Sequence, residues 1–167
     1  MPRLKHKAVQ YRRKREGKTD YKTRLKQALS GKIRLVTRIS LKNVYAQLVE
    51  FHADGDKVLL SASTSELKKK YGWKGASRNT PSAYLVGFLV GIKAKTKNLK
   101  EAILDIGLKS AIKGSLPYAV LKGALDAGLN IPHSKEILPT EARIKGEHIK
   151  SQNFKEVKAN LEKGVKQ

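Results

Sequence analysis

The chain has 167 residues, with 36 lysines and arginines against 14 aspartates and glutamates and a formal charge of +22. Such an excess exceeds what keeps a domain dispersed and calls for a polyanionic partner, while an apolar fraction of 40% suffices for a core. The lack of cysteine excludes disulfides, thiolate metal sites and thiol nucleophiles; no apolar run approaches the roughly 18 residues of a membrane span, and the basic N-terminus leads into more charge rather than a secretory signal region.

Residues 1 to 38 hold 14 cations against Glu16 and Asp20, more than half of the net charge in under a quarter of the chain. Arg3, Lys5 and Lys7 open this run. The cluster Tyr11-Arg12-Arg13-Lys14-Arg15 repels itself and buries nothing, whereas a phosphate backbone would neutralise it and release counterions. An isolated basic pentamer is more often a solvated tail. Here the cations continue through Lys18, Lys22 and Arg24 toward a strand, with Tyr11 and Tyr21 interleaved as planes on which unstacked bases or riboses can pack.

Thr19-Asp20 reads as a helix N-cap, followed by Tyr21, Leu25 and Leu29 at spacings of four and by Gly31, which predicts a helix over 20–30. Its apolar stripe is expected to pack on a core while Lys22, Arg24 and Lys26 face outward. Three segments rich in β-formers follow, 33–39, 44–52 and 57–63, joined by short connectors that favour an antiparallel meander. Alternation in the first of them predicts one buried face and one face carrying Arg34 and Arg38.

Residues 65–79 read as a polar connection containing Lys68-Lys69-Lys70-Tyr71-Gly72-Trp73. Trp73 either meets RNA or a partner there, or packs beneath the loop; both readings stand at this stage. Thr80, as cap, and Pro81 begin a helix to about Lys95 that is apolar nearly all round, with Gly87 and Gly91 suited to close packing on a sheet. Residues 101–106 predict a strand parallel to its sheet. Ser115-Leu116-Pro117 opens a further helix ended by Gly128. The expected order is β-β-β-α-β-α, an α/β fold with a parallel fourth strand and ribonuclease-H-like topology. Residues 1–31 are expected to form a basic arm with a short helix, 32–131 the core, and 132–167 a C-terminal extension with a short helix near 141–148, ordered by a partner.

Catalysis finds little support. The four histidines lie far apart, with no pair spaced to share a zinc ion. Gly123 and Gly128 have phosphate-loop spacing, but Leu129-Asn130 follow where Lys and Ser or Thr are required. A two-metal nuclease on this topology needs converging carboxylates, and only Asp105 sits at a plausible position. No catalytic residue, metal, cofactor, small-molecule substrate or membrane association is expected.

The segment Tyr11-Arg-Arg-Lys-Arg-Glu-Gly-Lys-Thr-Asp-Tyr21, with Arg24-Leu25 and Ser30-Gly31-Lys-Ile-Arg34-Leu35-Val36, closely resembles the N-terminal region of the archaeal and eukaryotic 5S-rRNA-binding ribosomal protein family, eighteenth of the large subunit in the universal numbering. Asn79-Thr-Pro-Ser-Ala-Tyr84, Lys113-Gly-Ser-Leu-Pro117 and Gly123-Ala-Leu-Asp-Ala-Gly128 are similar to further blocks. The resemblance spans roughly 3–150, and its shortness favours an archaeal form over the longer eukaryotic protein five of the large subunit. It implies a non-catalytic clamp in the cytoplasmic ribosome that binds 5S rRNA and the large-subunit rRNA in the central protuberance, beside the other 5S-binding protein. By the same resemblance the RNA contacts are Arg12, Arg13, Arg15, Lys18, Thr19, Tyr21, Arg24, Arg34 and Arg38. Charge alone leaves two other readings open, a chromatin-like protein coating duplex DNA and a basic scaffold for acidic proteins.

Overall fold

In the computed structural model, which describes residues 8–149 and 153–163, the meander is present as β1 (Arg34–Ile39), β2 (Val44–Glu50) and β3 (Lys57–Ser63). A fourth strand, β4 (Ile103–Asp105), pairs parallel to β1, so the mixed sheet runs β3-β2-β1-β4. A strand that returns after a helical crossover pairs parallel when the crossover packs on one face of the sheet. The helices are α1 (Arg12–Arg15), α2 (Tyr21–Leu29), α3 (Thr64–Tyr71), α4 (Thr80–Thr96), α5 (Leu116–Asp126), α6 (Glu141–Lys145) and α7 (Phe154–Lys163).

Register sorts the two sheet faces. Leu35 lies opposite Leu48, Thr37 opposite Ala46 and Ile39 opposite Val44, and Leu35, Val44 and Leu48 are fully buried in the core with α4. The other face presents Arg34, Val36 and Arg38 opposite Val49, Gln47 and Tyr45. At the free edge, where unpaired strand groups invite a further strand, Lys93 and Lys97, in and just after the helix that crosses the sheet, donate to the β3 carbonyls of Ser61 and Leu59 at 2.9 and 3.0 Å.

Helix α4 is the central element, buried on every side through Gly91. Asn79 caps it, not Thr80: the Asn79 side chain accepts from the Ser82 N–H at 2.9 Å, and Ser82 Oγ accepts from the Asn79 N–H at 3.2 Å. The glycine pair packs on α5 rather than on the sheet. A Cβ on Gly87 would lie 1.9 Å from the Val120 carbonyl oxygen, and one on Gly91 would lie 2.5 Å from Ala127 Cβ. Gly123 returns the contact from α5, where a Cβ would meet the Tyr84 carbonyl oxygen at 2.1 Å.

Two further expectations change. The polar connection after β3 contains α3, capped by Ser63, whose side chain accepts from the Glu66 N–H at 3.2 Å, and closed by Gly72 at φ 72°. The signal was present as Ser63-Thr-Ser-Glu66, and Lys68-Lys69-Lys70 obscured it because their mutual repulsion reads as loop. The C-terminal segment, in turn, packs on the chain itself: Ile144, Phe154, Val157 and Leu161 are buried in the common core. The Phe154 ring lies 5.7 Å from that of Tyr84, and Lys158 Nζ sits 5.1 Å from the Phe88 ring centroid. No helix among the described residues is long and apolar enough to cross a membrane.

Candidate nucleic-acid interface

The arm begins with one helical turn. The self-repelling run forms α1 through backbone bonds such as Glu16 N–H to the Arg12 carbonyl at 3.0 Å, and it buries no residue. Glu16 offsets part of the charge, standing 2.8 Å from Lys18 Nζ and 3.7 Å from Arg12 Nε. Lys14 and Arg15 project into solvent on the same turn. Arg13 Nε donates to Thr19 Oγ1 at 2.8 Å, which ties the turn to the start of α2, and the rings of Tyr11 and Tyr21 lie 5.5 Å apart.

Asp20 caps α2, accepting from the N–H groups of Lys22 and Thr23 at 3.0 and 3.3 Å and from the Thr23 hydroxyl at 2.6 Å. These bonds, the Thr23 hydroxyl foremost, hold its carboxyl below the usual aspartate range. The helix is docked in the opposite sense to its pattern. Leu25 and Leu29 are 60% and 78% exposed, whereas Arg24 and Gln27 line a cleft of about 590 Å3 between the arm and the sheet. An ionic contact outweighs the apolar stripe here: Arg24 Nη2 donates to Asp56 Oδ2, at the β2–β3 turn, at 2.8 Å.

Arg34, expected on an open basic face, is only 3% exposed. Its Nη1 donates to Asp105 Oδ2 at 3.1 Å and its Nη2 pairs with Asp56 Oδ2 at 2.7 Å. A guanidinium taken out of water must find carboxylates; here they come from β4 and the hairpin turn, so Arg34 serves the fold and does not present its charge to a ligand. Burial raises the Asp56 pKa, but the contacts with Arg34 and Arg24 outweigh it and leave the carboxyl below its usual range. Asp105 is occupied as well, its Oδ1 accepting from the Gly107 N–H at 2.8 Å.

Trp73 is likewise a packing residue. It is 2% exposed and its indole N–H donates to the Ala76 carbonyl at 3.1 Å. The loop can fold over the ring because residue 75 is glycine, where a Cβ would stand 2.5 Å from it. An indole whose donor is satisfied internally is held by burial, and neither RNA nor a partner reaches it in this conformation.

What converges on the cleft is a set of cations: Arg13, Lys18 and Arg24 from the arm, Arg38 from β1, and Lys109 from the loop after β4. Arg38 lies over Gly107, whose φ of 65° brings that loop close, and its Nη1 donates to the Thr37 carbonyl at 3.0 Å. Lys18 and Arg24 are paired with Glu16 and Asp56, and of the lining carboxylates Asp105 is paired with Arg34 while Asp20 is bonded to neutral donors, so Arg13, Arg38 and Lys109 outnumber Asp20 and the cleft is net positive. Tyr45 adds an aromatic wall. Sequence reasoning missed Lys109, Tyr45 and Asp56; only the strand-end glycine at 107 hinted that the loop would turn back. Arg12, Lys14, Arg15, Tyr11, Tyr21 and Lys22 stand on the arm outside the cleft lining, while Arg3, Lys5 and Lys7 lie outside the described residues.

Residues 5–101 and 93–134 match the family described as ribosomal large subunit proteins 60S L5 and 50S L18. The chain is 51% identical over 148 residues to the large ribosomal subunit protein uL18 of Methanothermobacter thermautotrophicus, covering 89% of this chain and 75% of that protein. It is 50% identical over 141 residues to the protein of the same name from Aeropyrum pernix, covering 84% of this chain and 66% of that one.

Proposed function

The chain belongs to the family of large-subunit ribosomal proteins L5 and L18, and from that premise we propose that it binds 5S rRNA and fastens it to the large-subunit rRNA in the central protuberance. Its coarser role, a structural rather than catalytic constituent of the large ribosomal subunit, follows from the family. The reading places the protein in the cytoplasmic ribosome, beside the neighbouring 5S-binding protein.

The observation that carries the proposal is the cleft. Arm and sheet together bring Arg13, Lys18, Arg24, Arg38 and Lys109 around one concavity lined by two carboxylates, Asp20 and Asp105, and the cations outnumber them even with Lys18 and Arg24 paired to Glu16 and Asp56. Arg12, Arg15, Thr19 and Tyr21 extend the contact along the arm, with the exposed Tyr11 offering a stacking plane. Phosphate neutralisation supplies affinity, and a surface built from one arm and one sheet face selects RNA by shape and backbone path rather than by duplex base sequence.

Competition between 5S rRNA and duplex DNA of equal length at physiological salt tests the reading. Retention of 5S rRNA against excess duplex is the expected result, and equal affinities would reassign the protein to general nucleic-acid coating.

A further inference from the structure

We propose that Asp56 is the specificity-determining positioning residue of this interface: it anchors Arg24 and with it α2, so that the arm's cations meet RNA in one geometry instead of as a free polycation. The inference rests on the RNA-binding reading above and adds to it the device that makes a basic arm selective.

Three observations converge on Asp56. First, the arm has little else to hold it. Among the described residues, the Arg24–Asp56 bond, to the β2–β3 turn, is the one side-chain hydrogen bond between α2 and the sheet or its turns, and the apolar stripe that would ordinarily dock the helix points outward at Leu25 and Leu29. Second, Asp56 is itself fixed from behind. A continuous chain runs from the Gly107 N–H to Asp105 at 2.8 Å, from Asp105 to Arg34 at 3.1 Å, from Arg34 to Asp56 at 2.7 Å, and from Asp56 to Arg24 at 2.8 Å. Arg34 is buried and cannot swing away, so the position of β4 is transmitted to the arm. Third, the charge opposes simple affinity. In a chain of net charge +22, Asp56 offsets the Arg24 charge that would otherwise be fully open to phosphate.

Such a carboxylate improves discrimination rather than attraction. A preorganised arm gives up little further entropy on meeting the RNA whose shape it fits. The same rigidity denies other polyanions the adaptable contacts that a loose arm would make, and specificity is the difference between the two affinities.

The test uses the full chain, Asp56→Asn and Asp56→Glu, with two readouts: amide exchange of α2 in the free protein, and dissociation constants for 5S rRNA and equal-length duplex DNA at physiological salt. In Asp56→Asn the α2 amides are expected to lose about tenfold protection, 5S affinity to fall about tenfold, and duplex affinity to hold or rise by about threefold. Asp56→Glu should restore both protection and the ratio of affinities, which a change of charge balance without positioning would not require. A ratio unchanged in Asp56→Asn overturns the inference, as does a reduced ratio with α2 protection intact. If Asp56→Asn fails to fold, Arg24→Gln leaves Arg34 paired and must release α2 in the same exchange measurement; retained protection there overturns it equally. Wild-type protein that binds duplex as tightly as 5S rRNA would sink the 5S reading and this inference with it, whereas failure of the variants alone sinks only the inference.

Discussion

Substituting Gly87→Ala pits two effects of opposite sign against each other inside α4. In a helix interior alanine is favoured over glycine by about 1 kcal/mol, chiefly because it has less backbone freedom to lose. Against this stands the contact with α5: the new Cβ would lie 1.9 Å from the Val120 carbonyl oxygen, 2.7 Å from its carbon and 2.9 Å from its Cα. All three are backbone atoms of a fully buried residue, so no side chain can rotate aside. An ordinary contact begins near 3.4 Å, hence the helices must part by about 1.5 Å, and gaps of about 0.5–1 Å already forfeit a quarter to a half of each dispersion contact. Overpacking of this kind costs about 3 kcal/mol, which leaves a net destabilisation of about 2 kcal/mol after the propensity gain. For a chain of this length the melting temperature should fall by about 4–8 °C. Urea unfolding followed by far-ultraviolet circular dichroism, with calorimetry for the melting temperature, measures both quantities. A Gly87→Ala protein as stable as the parent, or more so, would show that helix propensity wins and that the α4–α5 approach is looser than described.

Asp105→Ala removes one of the two carboxylates that neutralise the buried Arg34, and the urea midpoint should register a loss of about 3 kcal/mol, the lower end for a broken buried pair because Asp56 remains; a loss below about 1 kcal/mol would mean that Arg34 finds water instead. The Asp56 carboxyl is depressed in the folded chain, so its stabilising contribution is complete above the ordinary aspartate value of 3.8 and is lost as pH falls through the lower folded value. Protection of the α2 amides relative to their intrinsic exchange rates should therefore fall in that acid window in the parent but show no such step in Asp56→Asn, and a parent whose protection is unchanged across the window would refute the assignment. Affinity for 5S rRNA should fall with salt along a log–log slope of about −4 to −7 if about five to eight phosphates are engaged, and filter binding across a salt series would expose a flat dependence. Deleting residues 1–18 should weaken that binding severely while thermal unfolding of the sheet stays cooperative; loss of cooperativity would make the arm part of the fold.

Local chemistry was enough for much of the architecture. The Asp20 cap, the strand itself from residue 34 onward, Pro81 near the start of α4 and Gly128 after α5 each act within one turn or one strand pair, and the structure carries all of them, whereas the expected alternation of burial fails because Arg34 to Thr37 are all buried. The cation-rich first 38 residues announced a polyanion partner without any coordinates, because net charge is a sum and needs no neighbours. Placement of individual charges was another matter. Arg34 and Arg38 occupy equivalent positions of one alternating strand, yet the first is buried on Asp56 and Asp105 while the second lines the cleft. Arg34 meets partners 22 and 71 residues further along the chain, and no pattern within a strand encodes that distance.

The same holds for α2, Trp73 and the glycines. A stripe of Tyr21, Leu25 and Leu29 states which side of a helix is apolar, but whether that side faces inward depends on what the rest of the chain offers, and here the arm is held by its polar side through Asp56. Trp73 is buried because the Gly75 turn folds over it, and Gly87 lies against Val120 rather than a strand because α5 returns across α4. Composition and periodicity are properties of neighbours along the chain, so they reported charge, element type and order. Burial of a charge, the facing of a helix and the pairing of surfaces are properties of neighbours in space, and they exist only once segments tens of residues apart have met.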